Sequence, residues 1–277
     1  MIHGNTKVYG ILGQPVRHSL SPVMHNAAFA ALGIDAVYLP MPVDDIEGAM
    51  RGIRALGFGG VSVTIPFKEV VLPYLDEVDE TSRRIGAVNT IKIAETIEGR
   101  FLRGSNTDWV GAVRALQEVT ALQDRRVVVL GSGGSARAVG FGLLNAGAKV
   151  TLCSRNPYKG QELAARLRCL WQPLAMVDAL RGDILVNTTS VGMNSDDSLM
   201  PAQTLRHYQV VMDIIYSPLH TRLLRDAAMA GCTIIHGLDM LLFQGVAQFE
   251  LWTEREAPVA VMRQALLSMV SDPREDK

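Results

Sequence analysis

The second half of the chain alternates short β-branched runs with stretches of helical apolar spacing. Val127–Leu130, Val150–Cys153, Ile184–Val186, Val210–Ile214 and Thr233–Ile235 read as buried strands, with helical segments between most of them. The first half is less regular. Tyr9–Leu12, Ala36–Val43 and Gly60–Ile65 are strand-like, while Pro22–Leu32 and Asp44–Ala55 carry apolar residues at helical spacing. Gly86–Ile93 is rich in β-branched residues, and Arg100–Gly104 follows it after a turn, which predicts a hairpin. Further helices are predicted over Trp109–Val119, Arg137–Ala146 and Met240–Trp252. This alternation predicts two α/β domains with mainly parallel sheets, joined near Asn106-Thr107-Asp108. The expected division is residues 1–108 for the first domain and 109–237 for the second. The last helix, with the rest of 238–277, is expected to return to the first domain.

Composition narrows the class. The chain has 277 residues, 48% apolar and 20% charged, with a net charge of −1, which fits a globular protein and gives no electrostatic case for nucleic acid or an anionic membrane. No apolar run reaches membrane-spanning length, and Met1–Val8 lacks a signal-peptide core. Three cysteines, Cys153, Cys169 and Cys232, have no metal spacing and read as reduced thiols of a cytoplasmic protein. No metal site is expected. Ser271–Lys277 reads as a polar tail. A homodimer is compatible with the sequence, which does not set the oligomeric state.

The densest chemistry lies at Gly131-Ser132-Gly133-Gly134-Ser135-Ala136, between the strand ending at Leu130 and the helix that follows. Strand, G-x-G-x-x-A turn and helix form a dinucleotide fingerprint. Gly131 serves the tight bend, Gly133 admits the pyrophosphate, and Ala136 lets helix pack on strand. Free N–H groups at the helix start face the anion. About 125 residues precede this unit, so the first domain is expected to hold the substrate. After the second strand of a Rossmann unit, an acid binds the ribose hydroxyl of NAD, whereas a base accommodates the phosphate of NADP. Ser154-Arg155-Asn156-Pro157-Tyr158-Lys159 holds no acid and two cations. Arg155 and Lys159 also read as ordinary solvated charges, but with the glycine loop upstream the NADP reading is favoured over NAD.

In the first half, His18-Ser19-Leu20-Ser21-Pro22 places two hydroxyls before a helix start, a seat for a carboxylate. Ser21 reads equally as a plain N-cap with proline next. Ser62–Lys68 ends a strand with Thr64 and Lys68; Asn89 lies in an apolar run; Asp108 precedes a helix; Gln244 interrupts an apolar one. Taken singly, each has a structural explanation: a surface lysine, a bonded core amide, a helix cap. His25 and His236 read as structural.

Together these segments resemble the shikimate dehydrogenase family. The resemblance is carried in order by His18–Pro22 with His25-Asn26, Val63–Lys68, Gly86–Thr90, Asn106–Asp108, Asn187–Met193 and Gly237–Leu241. It implies an N-terminal α/β substrate domain, a Rossmann-type doubly wound NADP domain, and a C-terminal helix returning to the first. It implies NADPH-dependent, reversible reduction of 3-dehydroshikimate to shikimate, a step of aromatic amino acid biosynthesis. Lys68 and Asp108 would be the catalytic pair. Ser19 and Ser21 would bind the substrate carboxylate, with Tyr216, and Thr64, Asn89 and Gln244 the ring hydroxyls. Gly131–Ala136 would hold the pyrophosphate and Ser154, Arg155, Asn156 and Lys159 the 2′-phosphate. Ile214 and Gly237 would border the nicotinamide. Glu254 stands where the family often has glycine. The rival readings are an NAD-dependent quinate/shikimate dehydrogenase, a methylene-tetrahydrofolate dehydrogenase and a non-catalytic metabolite sensor. The absence of an acid after the second strand opposes the first. The Ser-x-Ser-Pro segment opposes the second, and retention of Lys68 and Asp108 the third.

Overall fold

The computed structural model describes residues 2–270, so the expected polar tail at 271–277 lies outside the described residues. The chain divides into two compact units. One runs from the N-terminus to Thr107 and resumes at Gln244; the other is Asp108–Phe243.

The first unit is built on six strands, β1 (Lys7–Gly13), β2 (Ala36–Pro42), β3 (Gly60–Val63), β4 (Glu77–Val78), β5 (Thr90–Thr96) and β6 (Gly99–Ser105). Their order is β2-β1-β3-β5-β6-β4. Strand β5 runs antiparallel to both β3 and β6, while the other pairings, β1 with β2 and β3 and β4 with β6, are parallel. Strands β5 and β6 form a hairpin, whose tight turn reverses the chain. Helices α1 (Ser21–Ala31), α2 (Ile46–Leu56) and α3 (Glu80–Ile85) belong to this unit. Leu12, Val61, Val63, Ile91 and Leu102 form its core with α2 residues Met50 and Ile53.

The second unit has six strands, β7 (Arg126–Leu130), β8 (Lys149–Ser154), β9 (Leu170–Pro173), β10 (Ile184–Asn187), β11 (Val210–Asp213) and β12 (Thr233–Ile235). All pair parallel, in the order β12-β11-β10-β7-β8-β9. This is the doubly wound arrangement, with its topological switch between β7 and β10. Helices α4 (Asp108–Gln117), α5 (Gly134–Asn145), α6 (Pro157–Leu167), α7 (Ala202–Leu205) and α8 (Arg222–Met229) connect the strands. Val128, Leu130, Leu185 and Val211 supply the buried sheet face. Strand β9 was not expected from the sequence; it is an edge strand whose residues are only partly covered.

Helix α9 (Gly237–Thr253) carries the chain from the second unit back into the first, and α10 (Val259–Val270) ends the described chain. No described helix is long and apolar enough to cross a membrane. Among the described residues, no group of three or more His, Cys, Asp or Glu could hold a metal ion.

Candidate active site

Each unit carries one half of the predicted chemistry. In the first, backbone bonds gather the residues that the sequence scatters. Val63 N–H donates to Asn89 O at 2.8 Å, and Val88 N–H donates to Lys68 O at 2.8 Å. The segment with Thr64 and Lys68 is therefore laced to the segment with Asn89. Both Thr64 and Lys68 are partly exposed.

Asn89 lies just before β5 and is 2% exposed. Its Oδ1 accepts the Thr107 backbone N–H at 2.7 Å and the Thr90 hydroxyl at 2.7 Å. Its Nδ2 donates to Thr107 Oγ1 at 3.0 Å and reaches Gln244 Oε1 at 3.5 Å. Gln244, on α9, thus meets Asn89 through its side chain and not merely helix backbone. Asp108, the next residue after Thr107, is buried and opens α4. A carboxylate there complements the positive end of the helix.

Ser21 is not the N-cap. It is the first residue of α1, preceded by Leu20, which offers no capping side chain. The Ser19 hydroxyl instead accepts the Ser21 N–H at 3.3 Å. Proline at the next position removes a donor that the turn would have to satisfy. Ser21 is 3% exposed, Ser19 partly exposed. Beneath them, the His25 ring is wholly buried and stacks on Tyr38, centroids 4.6 Å apart. Burial pushes the His25 pKa down to about 3, with the Gln248 side chain offsetting this only in part, so the ring is neutral at physiological pH.

In the second unit the glycine loop runs from β7 into α5. Gly131 has φ of +122°, a region closed to most side chains. A Cβ there would fall 2.5 Å from Thr188 Oγ1, which itself donates to Leu130 O at 2.6 Å. The loop is thereby pinned at the switch between β7 and β10. A Cβ at Gly133 or Gly134 meets nothing within 4 Å, so there is open space where a pyrophosphate must enter. Ser132 and Ser135 are partly exposed around that space, and Ala136 is fully buried against the sheet.

Arg155, Asn156 and Lys159 are exposed beyond β8. Asn156 caps α6, its Oδ1 accepting the Lys159 N–H at 3.1 Å. Ser154 departs from the expectation of a phosphate ligand. It is 4% exposed, its hydroxyl donates to Asn156 O at 3.2 Å, and its oxygen accepts the Trp171 indole N–H at 3.0 Å. Ser154 shapes the loop from beneath.

Gly237 and Ile214 lie side by side. A Cβ on Gly237 would lie 2.3 Å from Ile214 O, so only glycine allows this approach. Tyr216 follows in the same unit, partly buried, its phenol pushed up by burial. The segment is anchored by Asp213, which the sequence did not single out. Its carboxylate accepts from Asn187 Nδ2 at 3.1 Å, Ile215 N–H at 3.1 Å and Thr221 Oγ1 at 2.8 Å. A lone acid in an apolar strand carries no signal of three donors arriving from separate segments.

The sequence matches two family profiles, "Shikimate dehydrogenase substrate binding domain" over residues 11–91 and "Shikimate 5'-dehydrogenase C-terminal domain" over residues 237–267. It is 45% identical over 263 residues to a shikimate dehydrogenase (NADP(+)) of Pyrococcus abyssi, covering 94% of this chain and 97% of that protein. A crystal structure of a shikimate dehydrogenase in complex with NADP+ superposes with a TM-score of 0.89 at 37% identity, covering 98% of both chains. The Thermus thermophilus enzyme in complex with NADP(H) and shikimate gives a TM-score of 0.85 at 36% identity, over 95% of this chain and 99% of that one. The chain belongs to the shikimate dehydrogenase family.

Proposed function

We propose that this protein is an NADP-dependent shikimate dehydrogenase, catalysing the reversible reduction of 3-dehydroshikimate to shikimate. The observation that carries the reading is the buried Asn89 amide, held by Thr90 and Thr107 and reaching Gln244, laced by backbone to the Thr64–Lys68 segment. Such an array recognises a small polyhydroxylated ring. Ser19 and Ser21, with Tyr216, take its carboxylate; Thr64, Asn89 and Gln244 take its hydroxyls. The relatives with shikimate and NADP(H) in their descriptions support the same choice.

The second unit fits NADP on its own geometry. Gly131–Ala136 gives the pyrophosphate open space and the N-terminus of α5. The exposed Arg155, Asn156 and Lys159 suit a 2′-phosphate, and the segment 154–159 itself carries no carboxylate to repel it. Ile214 and Gly237 border the nicotinamide. When bound, NADPH supplies the hydride. Lys68 then donates its proton to the oxygen of the developing alkoxide, and takes it back in the oxidative direction. Asp108 orients Lys68 and a substrate hydroxyl. The substrate domain is assigned to residues 1–108 with 238–277, the cofactor domain to 109–237. Three free cysteines support placement in the reducing cytoplasm, within aromatic amino acid biosynthesis.

Steady-state rates with shikimate and with quinate, each with NADP and NAD, test the reading. Shikimate with NADP is expected to give the highest kcat/KM. A preference for quinate or NAD would move the protein to the quinate/shikimate group, and no turnover at all would make it a sensor. Lys68→Ala is expected to lower kcat by roughly 10²–10⁴ with little change in KM. A rise in KM at unchanged kcat would remove Lys68 from the proton transfer.

A further inference from the structure

A buried chain of polar side chains runs through the first unit, and the proposed mechanism uses only its two ends. Its members are Ser21, Tyr38, Ser62, Gln248, Thr90 and Asn89, all of them no more than 4% exposed. The direction of most bonds in it follows from groups that can only donate or only accept. The Thr107 backbone N–H must donate, so the Asn89 atom 2.7 Å away is the amide oxygen. The Thr90 hydroxyl lies 2.7 Å from that same oxygen and 3.3 Å from Thr107 Oγ1, and gives its single proton to the nearer of the two, the amide oxygen. Thr90 Oγ1 is then an acceptor for Gln248, 3.0 Å away. The same Gln248 atom lies 3.2 Å from the Asn89 backbone carbonyl, which only accepts, so it is Nε2. Gln248 Oε1 therefore faces Ser62 and takes its proton at 2.8 Å. Ser62, having given its proton away, accepts the Tyr38 O–H at 2.7 Å. The Tyr38 oxygen is left to accept from Ser21, its second hydroxyl partner. Donation thus runs one way, from Ser21 to Asn89 Oδ1.

We infer that Gln248, acting through Thr90 and backed by Ser62 and Tyr38, positions the Asn89 side chain so that its Nδ2 edge, and not its oxygen, is turned to the substrate. A substrate hydroxyl oxygen then accepts from Asn89 Nδ2 in place of the long 3.5 Å contact to Gln244 Oε1, while the other Nδ2 proton stays on Thr107 Oγ1. Without Thr90 as donor, the Asn89 oxygen loses one of its two shortest bonds and keeps the Thr107 N–H at 2.7 Å and the Thr107 hydroxyl at 3.2 Å. In a site this buried the loss is not made good by water. Gln248 stands one helical turn beyond Gln244 on α9, so the same face of one helix both reaches Asn89 directly and holds it from behind. These are positioning residues, since each acts through Asn89. The inference rests on the assignment of Asn89 to the substrate.

A purely structural role would be to tie α9 to the sheet. Trp252 provides the comparison: its indole N–H donates to Ile91 O at 3.0 Å, joining α9 to β5 with no bond to the chain of polar groups. The experiment measures KM for shikimate, KM for NADP and melting temperature for Thr90→Val, Thr90→Ser, Gln248→Met and Trp252→Phe. Thr90→Val and Gln248→Met are expected to raise the shikimate KM about tenfold, with the NADP KM unchanged. Thr90→Ser, which keeps the hydroxyl, stays within about twofold of the parent. Trp252→Phe lowers the melting temperature without changing the shikimate KM. In an Asn89→Ala background, Gln248→Met adds no further rise, because the group it positions is gone. A shikimate KM within about twofold of the parent in Thr90→Val, or an additive effect in the Asn89→Ala background, overturns the inference. If Gln248→Met does not fold, the near-isosteric valine–serine pair at Thr90 decides. An inactive parent protein would instead refute the functional reading.

Discussion

Ser154 has a position that the sequence shows and partners that it does not. From sequence it is one of four polar side chains after the second cofactor strand. In the fold its hydroxyl is spent on Asn156 O and its lone pair on the Trp171 indole. The pairing was illegible because Trp171 lies 17 residues further on, in a strand covered on neither side well enough to show a pattern. Asn89 is the opposite case. A lone amide in an apolar run must be bonded if buried, and that much was legible. Of its partners, Thr90 is the next residue, but Thr107 lies ahead of α4 and Gln248 lies on α9, and no spacing rule connects these two to it. The loop argument has a kinetic consequence. Arg155→Ala is expected to raise the NADP KM roughly 10–100-fold, the worth of a lost charge-assisted pair, while kinetics with NAD stay unchanged. Trp171→Phe removes only the bond that steadies Ser154, so it should raise the NADP KM by less and again spare NAD. Equal effects on both cofactors would assign Trp171 to general packing.

At the level of elements, the parallel unit was the more legible. Its central strands β7, β10 and β11 are buried on both faces and stand out as apolar runs rich in β-branched residues. The first unit's mixed sheet was not, because the insertion of β5 between β3 and β6 depends on pairing across distant segments. Helix α3 carries good signals, an Asp79 cap accepting from Ser82 N–H and a left-handed Gly86 at its end, yet six residues are too few to show periodicity. Helix α9 was predicted in its middle, but its end holds a residue out of pattern. Glu254 follows the helix with φ of +55°. That conformation suits glycine and strains other residues. Here the carboxylate pairs with Lys92 Nζ at 2.6 Å, which holds its pKa below the usual carboxylate range. Glu254 is exposed, so the pair is screened and only weakly stabilising. Glu254→Ala keeps the strain and loses the pair; Glu254→Gly loses the pair and removes the strain. Thermal unfolding should therefore place Glu254→Gly above Glu254→Ala. The reverse order would mean that the backbone at 254 is relaxed without glycine.

For the molecule as a whole, the buried polar chain and the aromatic cluster beneath it make stability in acid depend on one imidazole. His25 is enclosed by Tyr38, Phe29 and Trp252, with ring centroids 4.6, 6.5 and 5.3 Å away, and by the Gln248 side chain. None of these neighbours titrates in mild acid, the Tyr38 phenol being pushed up by burial. The folded protein therefore keeps His25 neutral down to about pH 3, while the unfolded chain protonates it near pH 6.5. Between those values the unfolded state binds more protons, so stability falls as pH falls, by at most about 1.4 kcal/mol per pH unit. Above pH 6.5 the residue adds no pH dependence. His25→Gln, close in volume and uncharged throughout, should flatten the decline in melting temperature between about pH 6.5 and 4.5 relative to the parent. Carboxylates common to both proteins contribute equally to the two curves, so the difference in slope isolates His25. Parallel curves would show that the imidazole takes up its proton without unfolding, and would place a route for charge into a region that the geometry closes on every side. Because Tyr38 both stacks on His25 and donates to Ser62, that outcome would also predict a shikimate KM rising in mild acid, as the protonated ring pulls the phenol out of the chain that holds Asn89.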